Sequence, residues 1–210
     1  MVFASGIALL VACGRASDDE KPLSVPLSAQ DSAATAREIQ ASLSGDVAPG
    51  KQSYSFRGLY AGMPQARLEE HVRRSEAMSS CHAVEKSPTD VTCTYDAVLG
   101  SDSAHVSVEA QYGAVDARGD RAAFTIIATR VLPLDVDGVP LARAMSDAFE
   151  AQTALLDKRD ASYGHQQAQV RMGTANGARQ NFVDLAVTSR AGRELLTVRL
   201  SRSRTAVLRR

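Results

Sequence analysis

The alternation of apolar and polar residues predicts a series of β-strands from about residue 91 onwards. From Ala104 to Tyr112 every second residue is apolar or small, and the residues between them are polar, as expected for a half-buried strand. The same period of two gives Cys93 an inward position between Val91 and Tyr95. Similar β-rich patterns predict further strands at residues 125–131, 183–187 and 196–200, the last two joined by a glycine-containing turn.

A short motif occurs twice, and each copy opens a helical pattern. Residues 62–68 read Gly-Met-Pro-Gln-Ala-Arg-Leu, and residues 138–144 read Gly-Val-Pro-Leu-Ala-Arg-Ala. Proline suits the first turn of a helix, and apolar residues then recur on one helix face, most clearly at Leu141, Met145 and Phe149. Because strands follow each helix, we expect an α+β fold of two similar units, each a helix followed by a small antiparallel β-meander.

The N-terminal segment has the features of a lipoprotein leader. Residues 2–12 are apolar or small and uncharged, a length that suits the apolar part of a signal peptide and is too short to span a bilayer. The segment ends in Leu10-Val11-Ala12-Cys13, which resembles the lipobox of bacterial lipoproteins. The resemblance implies that residues 1–12 are removed and that Cys13 is lipidated. The alternatives are an ordinary secretory signal or a chance apolar start.

This resemblance also implies a location. Gly14 rather than Asp follows the cysteine, so in a Gram-negative host the lipoprotein sorting rule implies retention in the outer membrane, facing the periplasm. Residues 13–52 are rich in Ser, Ala, Asp and Gln, and we interpret them as a flexible lipid-anchored tether, with a possible short helix at residues 34–43. The expected domains after the tether are a first α+β unit at residues 53–131 and a second one at residues 132–210.

The two remaining cysteines fit an oxidising compartment. Cys81 and Cys93 flank a turn-forming segment, and a disulfide between them would close a hairpin loop. The alternative is a metal site that includes His82, but zinc needs about four ligands, and the spacings typical of such sites do not occur in the sequence. We therefore expect a disulfide, no metal and no cofactor.

The glycine-containing motifs raise a second resemblance. Gly62, Met63 and Pro64, with Gly138, Val139 and Pro140 as a degenerate copy, open a helix that precedes a hairpin meander in a chain with a lipobox. This layout resembles the BamE/SmpA family of small outer-membrane lipoproteins, and the two-unit arrangement is similar to the tandem β-lactamase inhibitor proteins. The resemblance implies a binding or scaffolding protein that is not an enzyme, and fold alone names no partner.

Charge and motif content give no support to several other classes of function. The chain has 24 Lys and Arg residues and 24 Asp and Glu residues, and it lacks Trp, so we expect no nucleic-acid partner. Hydrolase motifs are absent, and the four histidines form no recognisable cluster, so we interpret them as solvated and expect no catalytic residues. The main hypothesis is a membrane-anchored module that binds a protein of the cell envelope. The alternative is binding of a lipid or cell-wall ligand.

Two groups of residues are candidates for binding. Leu59, Tyr60 and Met63 are predicted to form an exposed partner-binding site, with inward packing as the alternative. A basic C-terminal segment is the candidate for contact with an anionic surface, with solvated edge-strand arginines as the alternative. Its members are Arg199, Arg202, Arg204, Arg209 and Arg210.

Overall fold

The fold is a mixed α and β arrangement in a computed structural model of the chain. The structure describes residues 29–44, 54–73, 79–85, 87–117, 119–152, 158–164, 167–176 and 179–203. The helices in these ranges are α1 (Ala29–Leu43), α2 (Gln65–Arg73) and α3 (Gly138–Gln152). The strands are β1 (Ser55–Phe56), β2 (Leu59–Tyr60), β3 (Ser79–Val84), β4 (Ser87–Leu99), β5 (Ala104–Tyr112), β6 (Ala123–Val131), β7 (Lys158–Tyr163), β8 (Ala168–Asn176), β9 (Arg179–Arg190) and β10 (Arg193–Arg202).

Eight of the strands form one antiparallel sheet in the order β3-β4-β5-β6-β10-β9-β8-β7. The expectation of two units, each with its own small meander, is therefore wrong. The strands β6 and β10 pair from Val131↔Leu195 to Thr125↔Ser201, and this pairing joins both halves of the sheet. The pairing satisfies backbone groups that two separate sheets would leave exposed at their edges.

One face of this sheet forms the hydrophobic core. A row of directly paired residues crosses six strands on this face, and every member is buried: Tyr95, Val108, Ala128, Val198, Leu185 and Val170. The helices α2 and α3 pack on this face through buried residues such as Leu68 and Met145. In the described part of the chain, no helix is long and apolar enough to cross a membrane.

The helix α1 belongs to this folded domain. Ala34 and Ala41 are each 4% exposed, and the helix contacts α3 and β1. The interpretation of residues 13–52 as a flexible tether is therefore wrong for residues 29–44. The buried face of α1 consists of alanine, threonine, serine and one glutamate, and its low hydropathy is why the sequence pattern did not indicate packing. The lipobox and Cys13 lie outside the described residues.

The two glycines of the repeated motif have different structural roles. Gly62 has a φ of 93°, which favours glycine, and its amide donates to the carbonyl of Ala123. Gly138 begins α3 close to β9 and β10, and a Cβ atom there would lie 2.5 Å from Val187 Cγ1. The first glycine is required by backbone conformation, whereas the second is required by the close approach of the helix to the sheet.

Candidate functional site

The predicted partner-binding residues lie in the core. Leu59 and Met63 are fully buried, and Tyr60 is 3% exposed, so we correct the prediction that they form an exposed site. Leu59 and Tyr60 form β2 of the β1–β2 hairpin, and both side chains are buried there. The guanidinium of Arg67 lies over the Tyr60 ring, 5.9 Å from its centroid. The apolar residues at this position therefore stabilise the fold and offer no surface to a partner.

The described arginines of the C-terminal segment do not share a surface. Arg199 is exposed on the face of the sheet opposite the helices, whereas the side chain of Arg202 lies against Gly62 on the helix side. Residues three apart in a strand point to opposite faces, which explains the separation. Arg204, Arg209 and Arg210 lie outside the described residues.

The predicted disulfide between Cys81 and Cys93 is present. The two cysteines are directly paired across β3 and β4, with Cys93 in the core and Cys81 exposed at the edge of the sheet. Among the residues that the structure describes, no group of three or more His, Cys, Asp and Glu side chains is placed to hold a metal ion.

Four charged side chains, of which three are buried and Asp102 is partly exposed, meet in a cluster that the sequence did not predict. Glu38 of α1 accepts hydrogen bonds from Arg57 Nη2 at 2.7 Å and from Arg130 Nη1 at 2.6 Å. Asp102, in the turn between β4 and β5, binds both guanidinium groups, with distances of 3.0 Å to Arg57 Nη2 and Arg130 Nη1. We call these four residues the charge cluster. It joins α1, the β1–β2 turn, the β4–β5 turn and β6.

Local backbone geometry shows how Arg57 reaches this position. Arg57 and Gly58 form the two-residue turn between β1 and β2, with φ values of 49° and 80°. Such turns favour Asn-Gly, and a left-handed conformation costs a residue with a side chain about 1–2 kcal/mol. Three backbone and side-chain contacts fix the turn: Arg57 N donates to Ser42 O, Arg57 Nη1 donates to Leu99 O, and His71 Nε2 donates to Arg57 O. His71 is therefore not simply solvated as we had interpreted it.

The electrostatics of the charge cluster favour the charged forms of Arg57 and Asp102. Burial alone would lower the pKa of Arg57, but the hydrogen bonds and charges of Asp102 and Glu38 outweigh burial and raise it. Burial alone would raise the pKa of Asp102, but the hydrogen bonds and charges of Arg57 and Arg130 lower it. Groups held in their charged forms are poorly suited to exchange protons near neutral pH. The cluster therefore acts as an ion-pair connection between elements.

The second face of the sheet, which we call the open face, has a different character. In the described ranges no helix packs on it. One row of directly paired residues crosses all eight strands: Ser80, Thr94, Glu109, Ile127, Arg199, Asp184, Arg171 and Asp160. Its last four members alternate in sign over β10, β9, β8 and β7, and we call them the charged row. Within it, Arg171 Nε and Asp184 Oδ1 lie 3.4 Å apart, with side-chain exposures of 64% and 29%.

An aromatic residue lies beside the charged row. Phe182 of β9 is directly paired with Gly173 of β8, and a Cβ atom at Gly173 would lie 2.8 Å from the Phe182 ring. The guanidinium of Arg171 lies over the same ring, 5.3 Å from its centroid. The open face therefore offers charges of both signs and one aromatic ring on a rigid sheet, which are groups that protein interfaces use.

A depression of about 360 Å³ lies where the chain enters α3, lined by residues 132–137 and 192–194. Leu134 is 89% exposed in this loop. Two carboxylates of the lining are already engaged, since Asp137 Oδ1 accepts from Val139 N and Glu194 Oε2 accepts from Gly138 N. These bonds cap the start of α3, so both carboxylates stabilise the helix.

Comparison of the chain with family models, with curated proteins and with solved structures finds no match. The sequence indicates the outward positions of the row's members but not that they form one row. Arg171, Asp184 and Arg199 each occupy an outward position in a strand whose inward positions are apolar.

Proposed function

We propose that this protein is a lipid-anchored extracytoplasmic lipoprotein that acts as a non-catalytic interaction module of the cell envelope. The observation that carries the proposal is the open face, where a charged row and Phe182 lie on a rigid eight-stranded sheet without a covering helix among the described residues. The proposed partner is a protein, because alternating charges beside an aromatic ring suit a polar protein surface.

Two features support the location. The Leu10-Val11-Ala12-Cys13 segment resembles a lipobox, and lipidation of Cys13 would hold the domain at a membrane. The Cys81–Cys93 disulfide fits an oxidising compartment outside the cytoplasm. Because Cys81 is exposed at the sheet edge, a reducing compartment would be expected to open this bond.

The buried charges support a binding role over catalysis. The ion pairs of the charge cluster hold α1 to the β1–β2 turn and to β6 of the large sheet. The domain thereby gains a rigid frame for the open face, and sites built on rigid sheets are more exact in geometry than sites on loops.

The test compares two variants in the native host. Arg171→Glu combined with Phe182→Ser alters the open face, and Arg37→Glu, an exposed position on α1, is the matched control. After crosslinking and purification of the tagged protein, we expect an envelope protein that is recovered with the wild type and the control but lost with the open-face variant. Recovery with all three forms would contradict the open-face assignment, and recovery of lipid or glycan alone would favour the ligand-binding alternative.

A separate variant tests the anchor. Cys13→Ser should move the protein from the membrane fraction to the soluble fraction, because the acyl chains would be missing. Equal membrane association of both forms would contradict the lipoprotein assignment.

A further inference from the structure

We propose that the β10-β9-β8-β7 half of the open face binds a second copy of this chain, through a two-fold axis parallel to the strands. The inference rests on the proposed function, since it uses the open face as a binding surface and names its occupant.

The charged row carries the argument. Across the four strands it runs Arg199, Asp184, Arg171, Asp160, which is plus, minus, plus, minus. A two-fold axis along the strands reverses this order in the facing copy. Each cation then faces an anion: Arg199 faces Asp160 of the second copy, and Asp184 faces Arg171. The row is therefore complementary to itself in this orientation.

Other orientations bring like charges together. An axis parallel to the row would place each residue opposite its own copy, with cation on cation. A two-fold axis parallel to the strands and between β6 and β10 would cover the entire open face with that of the second copy. This axis would place Asp184 opposite Glu109, which brings two negative charges together. Of these axes, the one parallel to the strands between β8 and β9 pairs all four charges of the charged row with opposite charges.

The sizes of neighbouring side chains agree with this axis. In the adjacent row, the Phe182 ring lies over Gly173 of its own chain, so this axis would bring the Phe182 rings of the two copies together. On the other side, Ala186 would face Gln169. A small residue thus meets a large one in one row and two aromatic rings meet in the other, which permits packing of the two faces.

The available area indicates a weak dimer. Four strands about 4.8 Å apart, each contributing about eight residues at roughly 3.3 Å, present about 500 Å² per copy. Two copies would bury about 1,000 Å², near the lower end of what specific interfaces require. Confinement of both copies to one membrane by the proposed anchor would favour such an interface, because it raises their effective concentration.

The test is a charge-swap cycle on the full chain, with Cys13→Ser present in every form so that lipid does not drive association. Sedimentation velocity over a concentration series should show a wild-type dimer. Arg199→Asp and Asp160→Arg should each weaken dimerisation about tenfold, since each change puts like charges face to face twice in the symmetric interface. The double variant should return to within about threefold of the wild type.

Rescue in the double variant would be specific to contact between copies. Positions 199 and 160 lie three strands apart, about 14 Å, so they cannot pair within one chain. Within one chain, Arg199→Asp places a negative charge beside Asp184, and Asp160→Arg places a positive charge beside Arg171. The double variant keeps both repulsions, so relief of repulsion within the monomer cannot explain recovery of dimerisation. The control is Arg190→Asp, an exposed position beyond the pairing of β9 with β8, which should leave dimerisation unchanged.

Three results would overturn the proposal: a wild-type chain that stays monomeric at millimolar concentration, single variants that dimerise like the wild type, or a double variant without recovery. Circular dichroism would verify that each variant is folded. The proposed function would survive these results if crosslinking still recovered another envelope protein that depends on Arg171 and Phe182. If neither dimerisation nor recovery of such an envelope protein were observed, the open face would be rejected as a binding surface.

Discussion

Glu38 and Arg130 lie 92 positions apart in the sequence, yet Arg130 Nη1 is 2.6 Å from both carboxylate oxygens of Glu38. The contact joins the helix α1 to β6, one of the two central strands of the sheet. Arg57 binds Glu38, Asp102 binds Arg130, and these two residues complete the charge cluster. Glu38 is only 4% exposed. A buried carboxylate with two arginine partners makes the position of α1 specific, because no other register of the helix would satisfy these cations.

We expect Glu38→Gln to destabilise the protein by about 3–5 kcal/mol. The substitution removes the anion between two buried cations and leaves Asp102 as their remaining carboxylate in the charge cluster. Urea denaturation followed by circular dichroism would measure the free energy of unfolding. Gln40→Ala, at an exposed position of the same helix, is the matched control and should change it by less than about 0.5 kcal/mol. A loss below about 1 kcal/mol for Glu38→Gln would show that the cluster does not hold α1.

The lowered pKa of Asp102 predicts an acid-sensitive contribution to stability. An aspartate in the unfolded chain titrates near pH 4, so at lower pH the unfolded state binds the proton more readily than the folded state. The contribution of Asp102 is therefore complete above about pH 4 and is lost as the pH falls through the lowered pKa.

Between about pH 4 and pH 2, the wild type should lose stability more steeply than Asp102→Asn, which has no carboxylate to protonate at this position. Denaturation midpoints at half-unit pH intervals would measure the two slopes. Ser107→Ala, an exposed position on the open face of β5, should keep the wild-type slope because it removes no titrating group. Parallel curves for the wild type and Asp102→Asn would contradict the assignment.

The disulfide should contribute about 3 kcal/mol in the chain-entropy model, since it closes a loop of about 13 residues. Reductant should lower the denaturation midpoint of the wild type and leave the Cys81→Ala and Cys93→Ala double variant unaffected. The reduced wild type and the double variant should have similar stability. No shift on reduction would indicate that the hairpin is held by its strand pairing alone.

Local patterns predicted the local features of this fold and missed the relationships between distant residues. Period-two alternation indicated strands such as β5 because each residue carries its own burial signal. The pairing of β6 with β10 gives no such signal, since it joins segments that are far apart in the sequence. The packing of α1 was missed for a different reason. Alanine and glutamate occur on solvent-exposed helices as well as on packed ones, so the sequence does not show that they are buried here.

The prediction of binding residues was limited in the same way, because local patterns do not show which residues lie together. Leu59, Tyr60 and Met63 form an apolar group that suits either a core or an interface, and only the hairpin geometry shows that they are buried. The charged row was equally hidden, because each of its residues is an ordinary outward position in its own strand. Only the register of the sheet brings alternating charges into one line.

The two motif glycines should respond to substitution for different reasons. Gly62→Ala should cost about 1–2 kcal/mol, because alanine rarely adopts a positive φ. Gly138→Ala should cost about 1–3 kcal/mol through overpacking, because the new methyl group would approach Val187 and Glu194. Gly113→Ala, where nothing lies within 4 Å of the added atom, is the control and should be neutral within about 0.5 kcal/mol.

A second substitution separates the two causes. Val187→Ala should partly rescue Gly138→Ala, since it removes the Cγ1 atom that lies 2.5 Å from the added methyl group. It should not rescue Gly62→Ala, whose cost comes from the backbone. A double-mutant cycle of unfolding free energies would measure both couplings. Equal coupling of Val187→Ala to both glycine variants would contradict the distinction and would indicate that the two motif copies carry the same structural constraint.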